Sequence, residues 1–223
     1  MKGMKKPQIS ASIIGGDPSR LADDLRKIEE SGADMLHLDV MDGNFVNNIT
    51  FGPDAVSALR KQSKMFFDVH LMIYRVYDYI ERFKQAGADR LTFHVEATEW
   101  VDDTIKFIRT CNMQVGLAIS PETNVELLLP HLAKIDQLIV MTVHPGFAGQ
   151  PFEKEMLDRI EFFNQVRKGH PELKFEISVD GGVKLNNAQQ CIDSGADILV
   201  SASALFDKTR SMKEIVQAMR GKG

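Results

Sequence analysis

Two cysteines, Cys111 and Cys191, are all that the 223 residues contain. They are too few and too far apart for a disulfide framework or a thiolate zinc site, so a reducing, cytoplasmic setting is expected. No uninterrupted apolar stretch approaches the length of a bilayer span, and no membrane partner is expected. Positive charge is in deficit: 27 Lys and Arg against 31 Asp and Glu give a net charge of -4. A nucleic-acid partner is therefore not expected. The first six residues carry three lysines with no apolar segment after them, which argues against a secretory leader. A Walker sequence is missing, as is a Gly-x-Gly-x-x-Gly after the first strand, so nucleotide binding has no support. What is present, 43% hydrophobic and 26% charged residues, suits one sizeable core. The expected organisation is a single domain over residues 1–223, with 1–7 as a poorly ordered N-terminal extension.

An internal echo points to the architecture. Ser31-Gly32-Ala33-Asp34-Met35-Leu36 recurs as Ala86-Gly87-Ala88-Asp89-Arg90-Leu91 and as Ser194-Gly195-Ala196-Asp197-Ile198-Leu199. In each, a helix ends on a glycine cap and a strand begins at once. The spacings approximate two and four multiples of about 27 residues, the size of a small βα module. Eight such units nearly fill the chain, so the fold class is read as α/β, a (β/α)8 TIM barrel. Strands are expected at 8–14, 34–43, 65–71, 90–95, 113–119, 138–143, 173–179 and 198–200. Helices are expected to open at Asp17-Pro18 and Pro53, to run over 74–85, 99–110 and 152–167, and to open again at Asn124 and Met212. Alternation of strand and helix implies parallel pairing.

The second strand organises the chemistry. In Asp34-Met35-Leu36-His37-Leu38-Asp39-Val40-Met41-Asp42-Gly43 the apolar residues alternate with His37 and Asp39, the period of a strand. An imidazole and a carboxylate thus share one face, costly to bury unless something satisfies them. Other polar residues fall after the same ends: Ser12, His70, His94 and Glu96, His144, and Asp180. In a barrel those ends form one mouth, so the residues are expected to converge. Two imidazoles and two carboxylates, His37, Asp39, His70 and Asp180, form a mixed N/O set suited to one divalent transition metal, zinc, iron(II), manganese or cobalt. The competing reading is a metal-free acid–base network. Asp68, two residues before His70, is either an acceptor that orients an imidazole or a plain internal hydrogen-bond partner.

Glycines and small residues after the late strands point to an anion. His144-Pro145-Gly146-Phe147-Ala148-Gly149-Gln150, Gly181-Gly182 and Ser201-Ala202-Ser203 let backbone N–H groups approach closely. Barrel phosphate sites use the loops after strands seven and eight. The Gly146–Gly149 segment could also close as a lid.

His37-Leu38-Asp39-Val40-Met41-Asp42-Gly43, Asn48-Ile49-Thr50-Phe51-Gly52, Asp68-Val69-His70-Leu71-Met72, Phe93-His94-Val95-Glu96-Ala97, Val140-Met141-Thr142-Val143-His144-Pro145-Gly146-Phe147 and Val179-Asp180-Gly181-Gly182-Val183 resemble ribulose-phosphate 3-epimerase, in the family's order, from about Ile9 to Phe206. The resemblance implies a metal-dependent barrel that interconverts ribulose 5-phosphate and xylulose 5-phosphate. It implies His37, Asp39, His70 and Asp180 as metal ligands, with Asp39 and Asp180 also moving the proton. It implies Ser12 and His70 as substrate contacts, and Met41, Met72 and Met141 as residues lining the site. Gly146, Gly149, Gly181, Gly182, Ser201 and Ser203 fall in the family's phosphate-binding and loop segments. A homo-oligomer, dimer to hexamer, is expected from the resemblance alone.

Inverting a carbon beside a ketone requires taking a proton from one face and returning one to the other, for which two carboxylates from distant strands suffice. A metal on the ketone and hydroxyl oxygens would stabilise the enediolate. Methionines above it would exclude water without competing for protons. Departures concern the loops. Gly43-Asn44-Phe45-Val46-Asn47-Asn48 lacks a histidine and a proline usual in the family, Gly15-Gly16 replaces a Ser-Ala pair, and Ala148, His144 and Ala202 differ from the common residues. Phe147-Ala148-Gly149-Gln150-Pro151-Phe152 is similar to the loop of allulose-6-phosphate 3-epimerases, which act on a six-carbon sugar. The segments around Phe93–Glu96 and Asp180–Val183 lean to the pentose enzyme, the substrate expected here. Decarboxylases and synthases of related barrels carry Asp-x-Lys-x-x-Asp on the third strand; Asp68-Val69-His70-Leu71-Met72-Ile73 lacks both the lysine and the second aspartate. A third reading, a non-catalytic sugar-phosphate-binding barrel, would have no need of a stoichiometric metal.

Overall fold

A computed structural model describes residues 6–207 and 209–221. The expected N-terminal extension lies outside the described residues except for Lys6 and Pro7. Eight parallel strands close into a barrel in sequence order: β1 (Gln8–Ser12), β2 (Met35–Met41), β3 (Phe66–Met72), β4 (Arg90–His94), β5 (Gln114–Ile119), β6 (Gln137–Met141), β7 (Glu176–Asp180) and β8 (Ile198–Ser201), which pairs back to β1. Around them lie α1 (Leu21–Ser31), α2 (Pro53–Arg60), α3 (Ile80–Ala86), α4 (Val101–Thr110), α5 (Met156–Gly169), α6 (Ala188–Ser194) and α7 (Met212–Met219). The crossover from β5 to β6 is made of 3-10 turns, Val125–Leu127 and Leu129–Lys134, in place of an α-helix.

Alternation along the strands separates two environments. Leu36, Leu38 and Val40 of β2, Phe67, Val69 and Leu71 of β3, and Leu138 and Val140 of β6 join the large core between barrel and helices. Many of the intervening positions are polar yet fully buried, Ser10, His37, Asp68, His70, Arg90, Thr92, Gln137 and Ser178, beside a smaller apolar group of Ala118, Ile139 and Met141. The apolar driving force thus resides in the outer layer, about 25 cal/mol per Å² buried. The polar groups are concentrated inside the barrel.

Each echo of Gly-Ala-Asp ends a helix with glycine in the left-handed region, at Gly32, Gly87 and Gly195. The aspartate that follows is a clamp. Asp34 accepts from the Ile9 N–H at 2.7 Å and Asp89 from the Phe67 N–H at 2.7 Å. Asp197 likewise accepts from the Ile177 N–H at 2.8 Å. Each thereby satisfies a backbone donor that starts an odd-numbered strand. A fourth clamp has no glycine before it: Asp136 accepts from the Val115 N–H at 2.7 Å. The 3-10 turn ahead of it ends on Ile135 in an extended conformation, so no left-handed cap is needed. An arginine pairs with every clamp: Arg220 with Asp34, Arg60 with Asp89, Arg109 with Asp136, and Arg167 with Asp197. Each arginine comes from the helix that precedes the odd strand around the ring, or from its C-terminal end, and α7 serves β1. Replacing Asp136 with Ala should lower stability by about 1–3 kcal/mol, the usual cost of losing a hydrogen bond to a charged acceptor. The check is a chemical-denaturation midpoint that falls at constant slope.

Several boundaries differ from the expected ones. β1 stops at Ser12 because Ile13–Gly15 form a 3-10 turn, closed by the Gly16 N–H on the Ile13 carbonyl at 3.0 Å. The expected helix over 74–85 divides into a 3-10 turn, Val76–Tyr79, and α3, after Arg75 adopts a left-handed conformation. α5 begins at Met156 and not at Phe152, since the Glu153 N–H is held by the Thr142 carbonyl at 2.9 Å. β7 begins at Glu176, three residues later than expected, and α6 completes the alternation before β8.

Candidate active site

Register brings the chemistry together. β2 and β3 pair so that His37 lies opposite Asp68 and Asp39 opposite His70. Asp180, the last residue of β7, reaches the same point from across the mouth. His37 Nε2 is 3.3 Å from Asp39 Oδ1 and 3.6 Å from Asp180 Oδ2. His70 Nδ1 is 3.3 Å and 3.4 Å from the same two oxygens. One donor atom from each of the four residues lies within 4.8 Å of every other. Metal bonds of about 2.0–2.2 Å place neighbouring donors roughly 3.0–3.6 Å apart, so the cluster has the dimensions of a coordination sphere.

The donor chemistry also fits. His37 Nε2 and His70 Nδ1 are fully buried nitrogens without a hydrogen-bond partner, and both face the two carboxylates. Buried polar atoms are rarely left so, and a cation between them would satisfy all four groups at once. Behind His37, Nδ1 meets Asp68 Oδ2 at 3.0 Å, and Arg90 Nε donates to Asp68 Oδ1 at 2.9 Å. Asp68 is thus the acceptor that orients an imidazole. Behind His70, Nε2 meets His94 Nε2 at 2.9 Å, and His94 Nδ1 lies 3.2 Å from Glu96 Oε2.

Electrostatics follow from this packing. Burial opposes charge on His37, but the nearby carboxylates of Asp39, Asp180 and Asp68 hold its pKa well above the usual imidazole range. His70 is raised in the same way against its burial, by Asp180 and Asp39. Burial would raise Asp39 and Asp180, yet the two imidazoles hold both below the usual carboxylate range. Two carboxylates in one pocket demand two positive charges, which a divalent cation supplies without protonating either histidine. Burial lowers His94. Glu96, pushed up by burial, is brought down to about 2 by hydrogen bonds from His94, Thr123 and the Ser120 N–H.

A cavity opens directly on this cluster. Its walls include Ser12, Asp39, Asp180, Met41, Met72 and Met141, and beyond them Gly146, Phe147, Gly149, Gly181, Gly182 and Ser203. Ser12 Oγ donates to Asp39 Oδ2 at 2.6 Å, fixing that carboxylate. Gly182 is obligatory: its φ is +63°, and a Cβ there would sit 2.8 Å from the Phe152 nitrogen. The Asn48 side-chain amide donates to the Gly146 carbonyl at 2.7 Å, tying the loop after β2 to the Gly-rich loop after β6.

Two residues stand elsewhere. His144 was expected among the converging groups, but β6 ends at Met141, and the His144 side chain is 65% exposed against Glu122. Ser201 does not line the cavity; its hydroxyl donates to the Val183 carbonyl at 3.0 Å and supports the loop after β7. Residues not singled out from the sequence are Arg90, which neutralises Asp68, and Thr50. The Thr50 hydroxyl donates to the Asp39 carbonyl at 2.7 Å and accepts from the Met41 N–H at 3.0 Å. For Arg90 a signal existed, since Arg90, Thr92 and His94 share one face of β4 by period two.

Comparison with known proteins gives a concordant result. The model of the ribulose-phosphate 3 epimerase family matches residues 8–206. A ribulose-phosphate 3-epimerase of Chlamydia trachomatis is 43% identical over 224 residues, spanning 99% of this chain and 96% of the relative. That of Escherichia coli K12 is 39% identical over 220 residues, 97% of this chain and 96% of the relative. Among solved structures, 3-keto-L-gulonate-6-phosphate decarboxylase from Vibrio cholerae superposes with a TM-score of 0.72 at 16% identity, covering 96% of each chain. At that identity the likeness is one of fold.

Proposed function

The chain belongs to the ribulose-phosphate 3-epimerase family and is an epimerase; from that premise we propose that it interconverts D-ribulose 5-phosphate and D-xylulose 5-phosphate, with Asp39 and Asp180 as the paired acid and base. The observation that carries this reading is the approach of those two carboxylates, from β2 and β7, to one cavity. One carboxylate takes the C3 proton from one face of the ketose, leaving a planar 2,3-enediolate. The other returns a proton to the opposite face, so the pair exchanges roles in the reverse direction. Ser12 holds Asp39 in place through its 2.6 Å hydrogen bond. Met41, Met72 and Met141 close the cavity with apolar, polarizable surface that does not compete for protons. The phosphate is assigned to the far wall, where Gly146, Gly149, Gly181, Gly182 and Ser203 present backbone at close range.

His37, Asp39, His70 and Asp180 would hold the divalent transition metal, whether zinc, iron(II), manganese or cobalt. When bound it supplies a Lewis acid to the substrate's ketone and hydroxyl oxygens. Asp68 would keep the His37 ring oriented toward the metal, with Arg90 balancing the charge of Asp68.

A second reading, D-allulose 6-phosphate to D-fructose 6-phosphate, draws on Phe147 and Ala148, which line the same cavity. The test is a steady-state comparison of pentose 5-phosphates with hexose 6-phosphates on protein whose metal content has been measured. A kcat/KM at least tenfold higher for ribulose 5-phosphate is expected. Preference for the hexose would transfer the assignment, and inactivity on both with no bound metal would favour a non-catalytic sugar-phosphate barrel.

A further inference from the structure

The two histidines of the cluster are supported from behind in different ways. At His37 the outer nitrogen meets a carboxylate, Asp68, which can only accept. The proton on that nitrogen is thereby fixed, and Nε2 keeps its lone pair for the carboxylate-lined pocket. At His70 the outer nitrogen meets another imidazole. The nitrogen contact is 2.9 Å, the ring centroids are 5.0 Å apart and the planes differ by 20°. That combination is an end-to-end meeting of nearly coplanar rings, the geometry of an N–H···N hydrogen bond.

Such a pair shares one proton and does not itself decide which ring donates. If His94 donated, His70 would accept on Nε2 and carry its own proton on Nδ1. An N–H, not a lone pair, would then face Asp39 and Asp180, and the residue would be useless as a ligand. The choice is made one residue further out. His94 Nδ1 lies 3.2 Å from Glu96 Oε2, and the other oxygen of Glu96 accepts the Ser120 N–H at 2.8 Å. A carboxylate cannot donate, so His94 Nδ1 bears the proton and His94 Nε2 accepts. The Ser120 hydroxyl, 3.4 Å from His94 Nδ1, can donate or accept and follows whichever tautomer is present.

We propose that Glu96, acting through His94, is a positioning residue that sets the tautomer of His70 and so makes its Nδ1 a metal donor. The inference rests on the reading of His37, Asp39, His70 and Asp180 as the metal site. It reaches beyond that site to a carboxylate that is neither one of those four residues nor part of the cavity wall.

Glu96→Gln is a near-isosteric test. The Ser120 N–H still requires an oxygen, so the amide NH2 is turned toward His94 Nδ1 and donates. The proton of His94 moves to Nε2, and His70 is forced to carry its own on Nδ1. Zinc affinity, measured by competition with a chromophoric chelator, should fall 10- to 100-fold, the range seen when partners of metal ligands are removed. In protein labelled with 15N-histidine, the nitrogens of His94 should exchange their protonated and acceptor signatures. Parent-like zinc affinity with unchanged His94 signatures would overturn the proposal. If Glu96→Gln does not fold, zinc-loaded parent protein decides alone: a proton on His94 Nε2 there refutes the relay. A parent protein that takes up no stoichiometric zinc, cobalt, manganese or iron(II) instead removes the metal site itself, a failure distinct from that of the relay.

Discussion

Asp39→Asn and Asp180→Asn should each lower kcat/KM for epimerisation by about 10²- to 10⁴-fold, the span attributable to a positioned proton-transfer group. Asparagine keeps the shape of the side chain and one oxygen, but it cannot take up a proton near neutral pH. Both residues also belong to the proposed ligand set, so metal content must be measured beside activity. Isotope exchange separates the two effects. With one carboxylate intact, the proton at C3 can still leave and return on that carboxylate's side, so deuterium at C3 washes into water from one epimer without net inversion. The two variants should show this with opposite epimers. Near-parent turnover in either variant would remove that residue from the acid–base pair.

Arg90→Met should destabilise the fold by about 3–5 kcal/mol, the cost of leaving a buried charge without its partner. Arg90 and Asp68 are both almost wholly inaccessible, and Arg90 also donates to the Gln114 amide oxygen at 3.5 Å and the Met35 sulfur at 3.2 Å. Burial would raise the Asp68 pKa, but Arg90 and His37 hold it well below the usual carboxylate range. Because the folded pKa is depressed, Asp68 contributes stability above its unfolded pKa of about 4, and that contribution is lost as pH falls. Losing Arg90 should move the acid-unfolding midpoint to higher pH. Urea titrations at neutral pH measure the main effect. Adding Asp68→Asn should return a large part of the loss, because the orphaned charge goes with it. A single variant as stable as the parent would show that the guanidinium is not what holds Asp68 ionised.

The barrel and the heart of its site were readable in the sequence for the same reason. A strand has a period of two, so His37 and Asp39 had to share a face, and parallel order put the C-terminal strand ends into one mouth. Glycine caps before Asp34, Asp89 and Asp197 marked three of the four clamps. The fourth escaped because a 3-10 turn needs no left-handed glycine, leaving Asp136 with no signature around it. Period two put Arg90 on the same face of β4 as Thr92 and His94, but its role escaped because its counter-charge, Asp68, lies one strand away. His144 was misplaced by the assumption that β6 continued to its neighbour; the strand ends earlier, and the side chain turns outward on a loop. The obligate Gly182 could not be explained from its own surroundings in the chain, since what crowds it is backbone at Gln150 and Phe152.

The arginine on Asp34 comes from the last helix of the barrel, some 186 positions along the chain. During synthesis the opening strand is therefore made first and secured last. While the ribosome is still adding the final quarter, the Ile9–Asp34 contact has no guanidinium to hold it, and β1 has no eighth strand to pair with. The other three quarters each find their arginine on a helix already translated. The seam between first and last strands is thus the part of the ring whose partners are completed last.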